Sequence, residues 1–474
     1  MAVYQNSQKS SKEKVPSLSG SGPFGGKAEI GEVLDISDIE KHDPGKSDDR
    51  FHRLGWKRLT VVLIVEAIAL GSLSLPSAFA TLGLLPGVIL CVFIGFVAIY
   101  TSYVIGQVKI AYPQVSHYTD VGRLLMGNFG YELISVMFVM QLLSVTGSHS
   151  LTGAIAFGNI SDHKACSVAF SAISALLLFL VAIPPSFSEL AIFGYIDFAS
   201  IIIAIGITMI GTGVAWSRSE NVASATGALA SSPWSYWPKE GLTFVEGFVA
   251  LGNIIFAYCF AVCQFSFMDE MHTPTDFPKS VWALGIIEMV IYTVTGTTIL
   301  IFVGNDVQSP ALLSAGPTLS KVAFGVALPV IFISGSINTT VAARYIHGRV
   351  YAKSPNRFIN TKQGWITWII TVSIITLIGW LIAESIPFFD DLLSISSSLL
   401  ISGFTFYFPA WMWFKLVKKG PCLSKENILL SIVNAIVFLI GMMVLFAGTY
   451  SSVQDILNHY DEGHVGKPFS CKAN

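Results

Sequence analysis

Eleven apolar runs follow one another along the chain, at about 59–82, 84–109, 130–157, 167–183, 188–215, 243–267, 281–303, 318–342, 365–383, 390–413 and 427–449. A helix needs about 20 mostly apolar residues to cross a hydrocarbon layer of about 30 Å. The pattern therefore predicts an all-α polytopic membrane protein with about 11 transmembrane helices. Residues 1–55 are rich in Ser, Lys, Gly and Asp and show neither a helical nor a strand period, which predicts a disordered tail. Residues 56–450 form the transmembrane domain, and 451–474 a short tail beyond it.

Composition places the chain far from soluble domains, where about a quarter of residues are charged. Here 53% are hydrophobic and 12% charged. The net charge of -2, with no basic arm and no Cys/His finger spacing, gives no footing for a nucleic-acid partner. The polar first fifty residues hold no cleavable signal peptide. Lysine and arginine divide unevenly between alternate loops. Lys109, Lys279, Arg349 and Lys418 belong to a set of twelve on one side, whereas Lys164, Arg218 and Lys239 stand alone on the other. The positive-inside rule then puts the N-terminus in the cytosol and the C-terminus outside. Cys166 and Cys471 both fall on the outer side, where they could pair. The Ser and Lys residues of the N-terminal tail could be targets of regulatory modification.

The first run contains a stretch poorly made for a helix. In Leu63 to Gly83, LIVEAIALGSLSLPSAFATLG, residues Gly71, Ser72, Ser74 and Pro76 fall together. Proline removes an amide donor and clashes with the preceding turn, and serine hydroxyls compete for backbone carbonyls. Interrupted backbone at membrane depth is tolerated only where protein buries it or a polar cavity lines it. A helix restarting near Pro76 would present free amides and a positive dipole end to a carboxylate. The alternative is an ordinary proline kink. In the sixth run, Asn253, Tyr258 and Gln264 are polar groups on an apolar segment that no Gly or Pro interrupts after Gly252. Tyr258 could meet a ligand or be satisfied by a neighbouring helix.

Ionisable residues inside membrane helices are costly unless paired or protonated. Glu66, His149, Asp197 and Glu288 all fall in apolar runs. Glu66 lies five residues before Gly71, about 7.5 Å of helix, and Asp197 is its competitor as a proton carrier. The eighth run carries Ser334, Gly335, Ser336, Asn338, Thr339 and Thr340, which suit either close helix packing or a cation.

Three segments together, GSLSLPSAFATLG (71–83), FAYCFAVCQFSFMDEMHTPTDFPKSVW (256–282) and IPFFDDLLSISSSLLISGFTFYFPAWMW (386–413), resemble the amino acid/auxin permease family, and within it the fungal neutral amino-acid permeases. The likeness spans about residues 50–450. It implies the 5+5 inverted-repeat fold of the amino acid–polyamine–cation superfamily, with broken helices 1 and 6 plus one extra helix. It also implies that Gly71, Ser72 and Leu73 meet an amino-acid carboxylate, while Phe256, Ala257 and Tyr258 line the amine and side-chain side. Thr339 and Thr340 would be positioned for a cation site against helix-one carbonyls. Many members carry Gly-His shortly after Phe-Ala-Tyr; here Phe260-Ala261 stand there, so no histidine role in pH response carries over.

These readings converge on a secondary active transporter of neutral amino acids, aliphatic and aromatic, taking them up by alternating access. The proton gradient rather than sodium is expected to drive it, with no bound cofactor, in the plasma membrane. The alternatives are a vacuolar exporter of the same fold and a nutrient-sensing receptor. An enzyme is not expected: no Gly-x-Ser-Gly or Gly-x-Gly-Asp signature occurs, and His117 with Asp120 is an isolated pair.

Overall fold

A computed structural model describes residues 55–185, 187–226, 234–269, 271–354, 356, 359, 361–462, 469 and 471; side chains at 62, 65, 66, 187–193 and 219–226 lie outside that description. The expected disordered tail falls on undescribed residues, apart from Gly55.

No strand forms among the described residues, and every apolar run becomes helix. These are α1 (Trp56–Leu82), α2 (Leu84–Ala111), α3 (Tyr118–Ile160), α4 (Ser167–Ala182), α5 (Phe187–Thr226), α6 (Phe244–Ala257), α7 (Gln264–Asp269), α8 (Phe277–Val303), α9 (Leu319–Val350) and α10 (Lys362–Ser385). Two longer spans complete the set, α11 (Phe389–Val417) and α12 (Ile428–Asp461). The short α6 and α7 are two halves of one crossing, so twelve helices make eleven passes.

The burial pattern is that of a bundle in lipid. Phe93, Phe96, Ile203, Ile210, Leu439 and Phe446 point outward. The interior is crowded with small and hydroxyl residues. Lipid is as apolar as the helices, so association relies on close backbone approach and interhelical hydrogen bonds. Gly147 of α3 lies against Gly379 of α10, and Gly335 of α9 against His149 of α3. Along α3, the hydroxyls of Thr146, Ser148 and Thr152 each donate to the carbonyl four residues earlier.

Loop contacts sort the ends of the helices onto two faces. One face carries a disulfide between Cys166 and Cys471. On that face Lys321 bonds Asp162, which holds the Asp162 carboxyl below the usual carboxylate range. The backbone amides of Leu84 and Leu85 donate to the carbonyls of Ser235 and Tyr236. On the opposite face Lys109 pairs with Asp269, and Arg344 donates to the Pro185 carbonyl.

Four boundaries differ from the hydropathy reading. First, α1 is continuous through Gly71 to Pro76. The predicted interruption of helix one is not a gap in the helix. Pro76 denies the Ser72 carbonyl its usual donor, but neighbouring hydroxyls hold the turn: Ser72 donates to Ile68 at 2.8 Å, Ser74 to Gly71 at 3.1 Å and Ser77 to Ser74 at 2.9 Å. Second, the sixth crossing breaks at Tyr258–Cys263, where no Gly or Pro announced it. Third, α3 begins at Tyr118 and kinks at Gly127 (φ 69°, ψ -150°), a conformation suited to glycine. The continuous apolar run begins only after that kink. Fourth, α12 continues as helix to Asp461, so the expected tail after residue 450 starts as helix, with Ser451 and Ser452 buried.

Candidate functional site

The site grows from one crossing. Gly71 sits where α1 passes the end of α6, and a Cβ built on it would lie 2.5 Å from the Ala257 Cα and 2.9 Å from the Ala257 Cβ. Only a residue without a side chain permits that approach. The crossing brings together all six residues singled out in the sequence: Gly71, Ser72 and Leu73 on α1, and Phe256, Ala257 and Tyr258 at the α6 break. All six are buried, with Ser72, Ala257 and Tyr258 at 0% exposure.

The break leaves α6 ending in two tight backbone bonds, Tyr258 N–H to the Ile255 carbonyl and Cys259 N–H to the Phe256 carbonyl, both at 3.1 Å. The Tyr292 hydroxyl of α8 reaches into the crossing. It lies 3.1 Å from the Ala67 carbonyl and 3.0 Å from the Ala257 carbonyl, bridging α1 and α6. The Tyr258 hydroxyl turns the other way, to the Cys91 sulfur of α2 at 3.3 Å. The two tyrosine rings meet edge to face with centroids 5.3 Å apart. Leu73, Ile254, Phe256 and Phe260 are buried and belong to the same apolar core as the two tyrosines. The constellation holds no nucleophile–base pair among the described residues.

Other predicted residues fall elsewhere. The side chain of Glu66 lies outside the described residues. Asp197 on α5 is buried, and neither carboxyl oxygen has a hydrogen-bond partner among the described residues. Thr339 donates to the Gly335 carbonyl at 2.9 Å and meets Thr146 of α3 at 3.1 Å. Thr340 reaches the Ala182 carbonyl, at the end of α4, at 3.4 Å. Neither hydroxyl bonds a carbonyl of α1.

Sequence reading missed the contacts that close the two faces. On the disulfide face the Asp390 carboxylate accepts from Ser77 of α1 at 2.6 Å and from Ser309 of the α8–α9 loop at 2.5 Å. On the opposite face the buried Lys109 pairs with Asp269 at the end of α7 and donates to the Val115 carbonyl at 2.6 Å. Gln264, at the start of α7, donates to Ser102 of α2 at 2.8 Å. The signal lay in the 256–282 segment, where Gln264 and Asp269 interrupt apolar sequence. Asp391, Asp455 and His459 bring three potential metal-ligand atoms within 4.8 Å of one another. The Asp391–His459 ion pair at 2.8 Å accounts for two of them. A groove of about 610 Å³ between α5 and α8, lined by Met209, Ile210 and Phe302, lies apart from the crossing.

Comparison with known proteins agrees with this architecture. The family described as transmembrane amino acid transporter protein matches residues 52–454. An N amino acid transport system protein of Neurospora crassa is 59% identical over 424 residues, covering 89% of each chain. A transmembrane transporter of Fusarium pseudograminearum is 29% identical, covering 93% of this chain and 94% of its own. Among solved structures, Mhp1, a nucleobase-cation-symport-1 family transporter in a closed conformation with bromovinylhydantoin bound, superposes with a TM-score of 0.52 at 11% identity. It covers 90% of this chain and 97% of its own, and the likeness is one of fold.

Proposed function

The chain belongs to the transmembrane amino acid transporter family, and from that premise we propose that it carries neutral amino acids, aliphatic and aromatic, into the cell by proton-coupled alternating access. The observation that carries the reading is the Gly71–Ala257 crossing beside the α6 break. There the backbone of two helices converges on a buried point whose neighbours in sequence, Leu73, Phe256 and Phe260, are apolar and buried. Such neighbours favour a neutral side chain, because a charge placed among them would need a partner. The name of the Neurospora relative, an N amino acid transport system protein, supports amino-acid cargo.

Closing contacts exist on both sides of the crossing, Ser77–Asp390 on one face and Lys109–Asp269 on the other. Alternating access needs two gates that open in turn, and these contacts suit the role. Proton drive is favoured over sodium because Thr339 and Thr340 are engaged with α3 and the end of α4 rather than with α1. The disulfide suits an oxidising compartment. With the charge asymmetry of the loops, it supports a plasma-membrane protein with a cytosolic N-terminus and Cys471 outside. No observation favours the vacuolar exporter or the receptor.

The test is radiolabelled uptake in permease-deficient cells, with a competition panel at two external pH values. Neutral amino acids should compete and acidic medium should raise uptake. Selective competition by lysine or glutamate, or uptake indifferent to pH but dependent on sodium, overturns the reading.

A further inference from the structure

Behind the crossing lies a carboxyl group that the reading above leaves without a task. Glu288 is on α8, one helical turn before Tyr292, and side chains four residues apart share a helix face. It is 0% exposed, and neither carboxyl oxygen has a hydrogen-bond partner among the described residues. Tyr292 follows on the same helix face, its ring meets that of Tyr258 at the α6 break, and the Tyr258 hydroxyl meets Cys91 of α2. Those are the residues that knit the crossing together. Tyr292 bridges the Ala67 and Ala257 carbonyls, and Tyr258 bonds Cys91.

A carboxylate at membrane depth with no partner costs several kcal/mol, and the neutral acid avoids that cost. A group in that condition changes its protonation readily when the helices around it move and water reaches it. Coupling between two sites is a free energy they share, so the group must touch what the substrate touches. Glu288 meets that requirement through the two tyrosines. Asp197 is buried and unpartnered among the described residues too, but it sits on α5, not on the helix that carries Tyr292. The titratable groups at the crossing are Cys91 from α2, Tyr258 from the α6 break and Tyr292 from α8; the side chain of Glu66 on α1 lies outside the described residues.

We propose that Glu288 is the proton carrier of the transport cycle. Its carboxylate takes one proton from water on the outer side when the crossing opens there, and the acid gives that proton to water on the inner side after substrate leaves. No bond other than O–H forms or breaks, and one proton moves inward per turnover. The proposal rests on proton-coupled uptake.

The experiment compares wild type with Glu288→Gln, Asp197→Asn and Glu66→Gln in permease-deficient cells. It measures surface protein, counterflow exchange, accumulation ratio and the pH profile of uptake. Glu288→Gln should still exchange substrate, while its accumulation ratio falls to about 1 and its pH profile flattens. Asp197→Asn and Glu66→Gln should keep a wild-type pH profile. Unchanged accumulation and pH profile in Glu288→Gln overturn the proposal, as does a flattened profile in either of the other two alone. Where Glu288→Gln fails to reach the surface, Glu288→Asp decides. Retained accumulation with a displaced pH midpoint supports the proposal, and an unmoved midpoint overturns it. A wild type that accumulates neutral amino acids without any pH dependence is a separate outcome: it removes proton coupling itself, and Glu288 with it.

Discussion

A Cβ on Gly71 would stand 2.5 Å from the Ala257 Cα, closer than carbon atoms of two helices can pack. The clash is with backbone, so no side-chain rotation relieves it, and α1 must move away from the α6 break. Overpacking of this kind costs about 1–3 kcal/mol. Gly71→Ala should cut uptake more than tenfold, and Gly71→Val should abolish it. Uptake normalised to surface protein is the measurement. An unaltered half-saturation concentration in Gly71→Ala would mean that the crossing is packing only.

Tyr292 supplies the one hydroxyl seen between the Ala67 and Ala257 carbonyls. Phenylalanine has the same shape without the donor. A buried carbonyl that loses its partner costs about 1–3 kcal/mol. Tyr292→Phe should therefore lower the thermal midpoint of the purified protein by several degrees and reduce uptake. Tyr258→Phe removes only a bond to the Cys91 sulfur and should cost less. Equal effects of the two substitutions would contradict the bridging role.

Hydropathy made the eleven passes legible because length and apolar content determine who can cross a bilayer. The site was harder to see. Serine and proline marked Gly71 to Pro76 as special, and Gly71 does lie against Ala257 although the backbone stays helical. The Ser72, Ser74 and Ser77 hydroxyls hold the turn that proline weakens. The real break, after Ala257, carries no local signal, because Tyr258, Phe260 and Val262 are ordinary in a membrane helix. It is set by tertiary partners: Tyr292 on the Ala257 carbonyl and Ser102 on Gln264. Contacts between residues 35 and 162 positions apart cannot be read from local spacing.

Lys109 is nearly buried, at 5% exposure, and its ammonium is shared between Asp269 and the Pro113 and Val115 carbonyls. Asp269 is about a third exposed, so solvent screens the pair and the ion contact alone is modest. Its importance is positional, since it ties the end of α7 to the end of α2. Asp269→Asn should favour opening on this face. Cysteines placed along α7 should then react severalfold faster with a cytosolic thiol reagent, while those along the outer part of α1 react more slowly. Unchanged reactivity on both sides would show that the contact is no gate.

The disulfide tests the orientation of the whole chain. Cys166 and Cys471 are 305 residues apart and joined, so the α3–α4 loop and the region beyond α12 share a face. Eleven passes separate Trp56 from Asp461, which places the start of α1 on the other face. Cys422 is exposed in the α11–α12 loop on that opposite face, and Cys91 and Cys263 are buried. The protein thus carries its own reporters. With the N-terminus cytosolic, an impermeant maleimide added to intact cells should label nothing at first. It should label Cys166 and Cys471 after an impermeant reductant, and Cys422 only after permeabilisation. Cys166→Ser should expose Cys471 without reduction and lower the thermal midpoint, since a cross-link over so long a loop is worth on the order of 2–4 kcal/mol. Labelling of Cys422 in intact cells, with Cys471 protected until permeabilisation, would invert the topology and turn the importer reading into one of export.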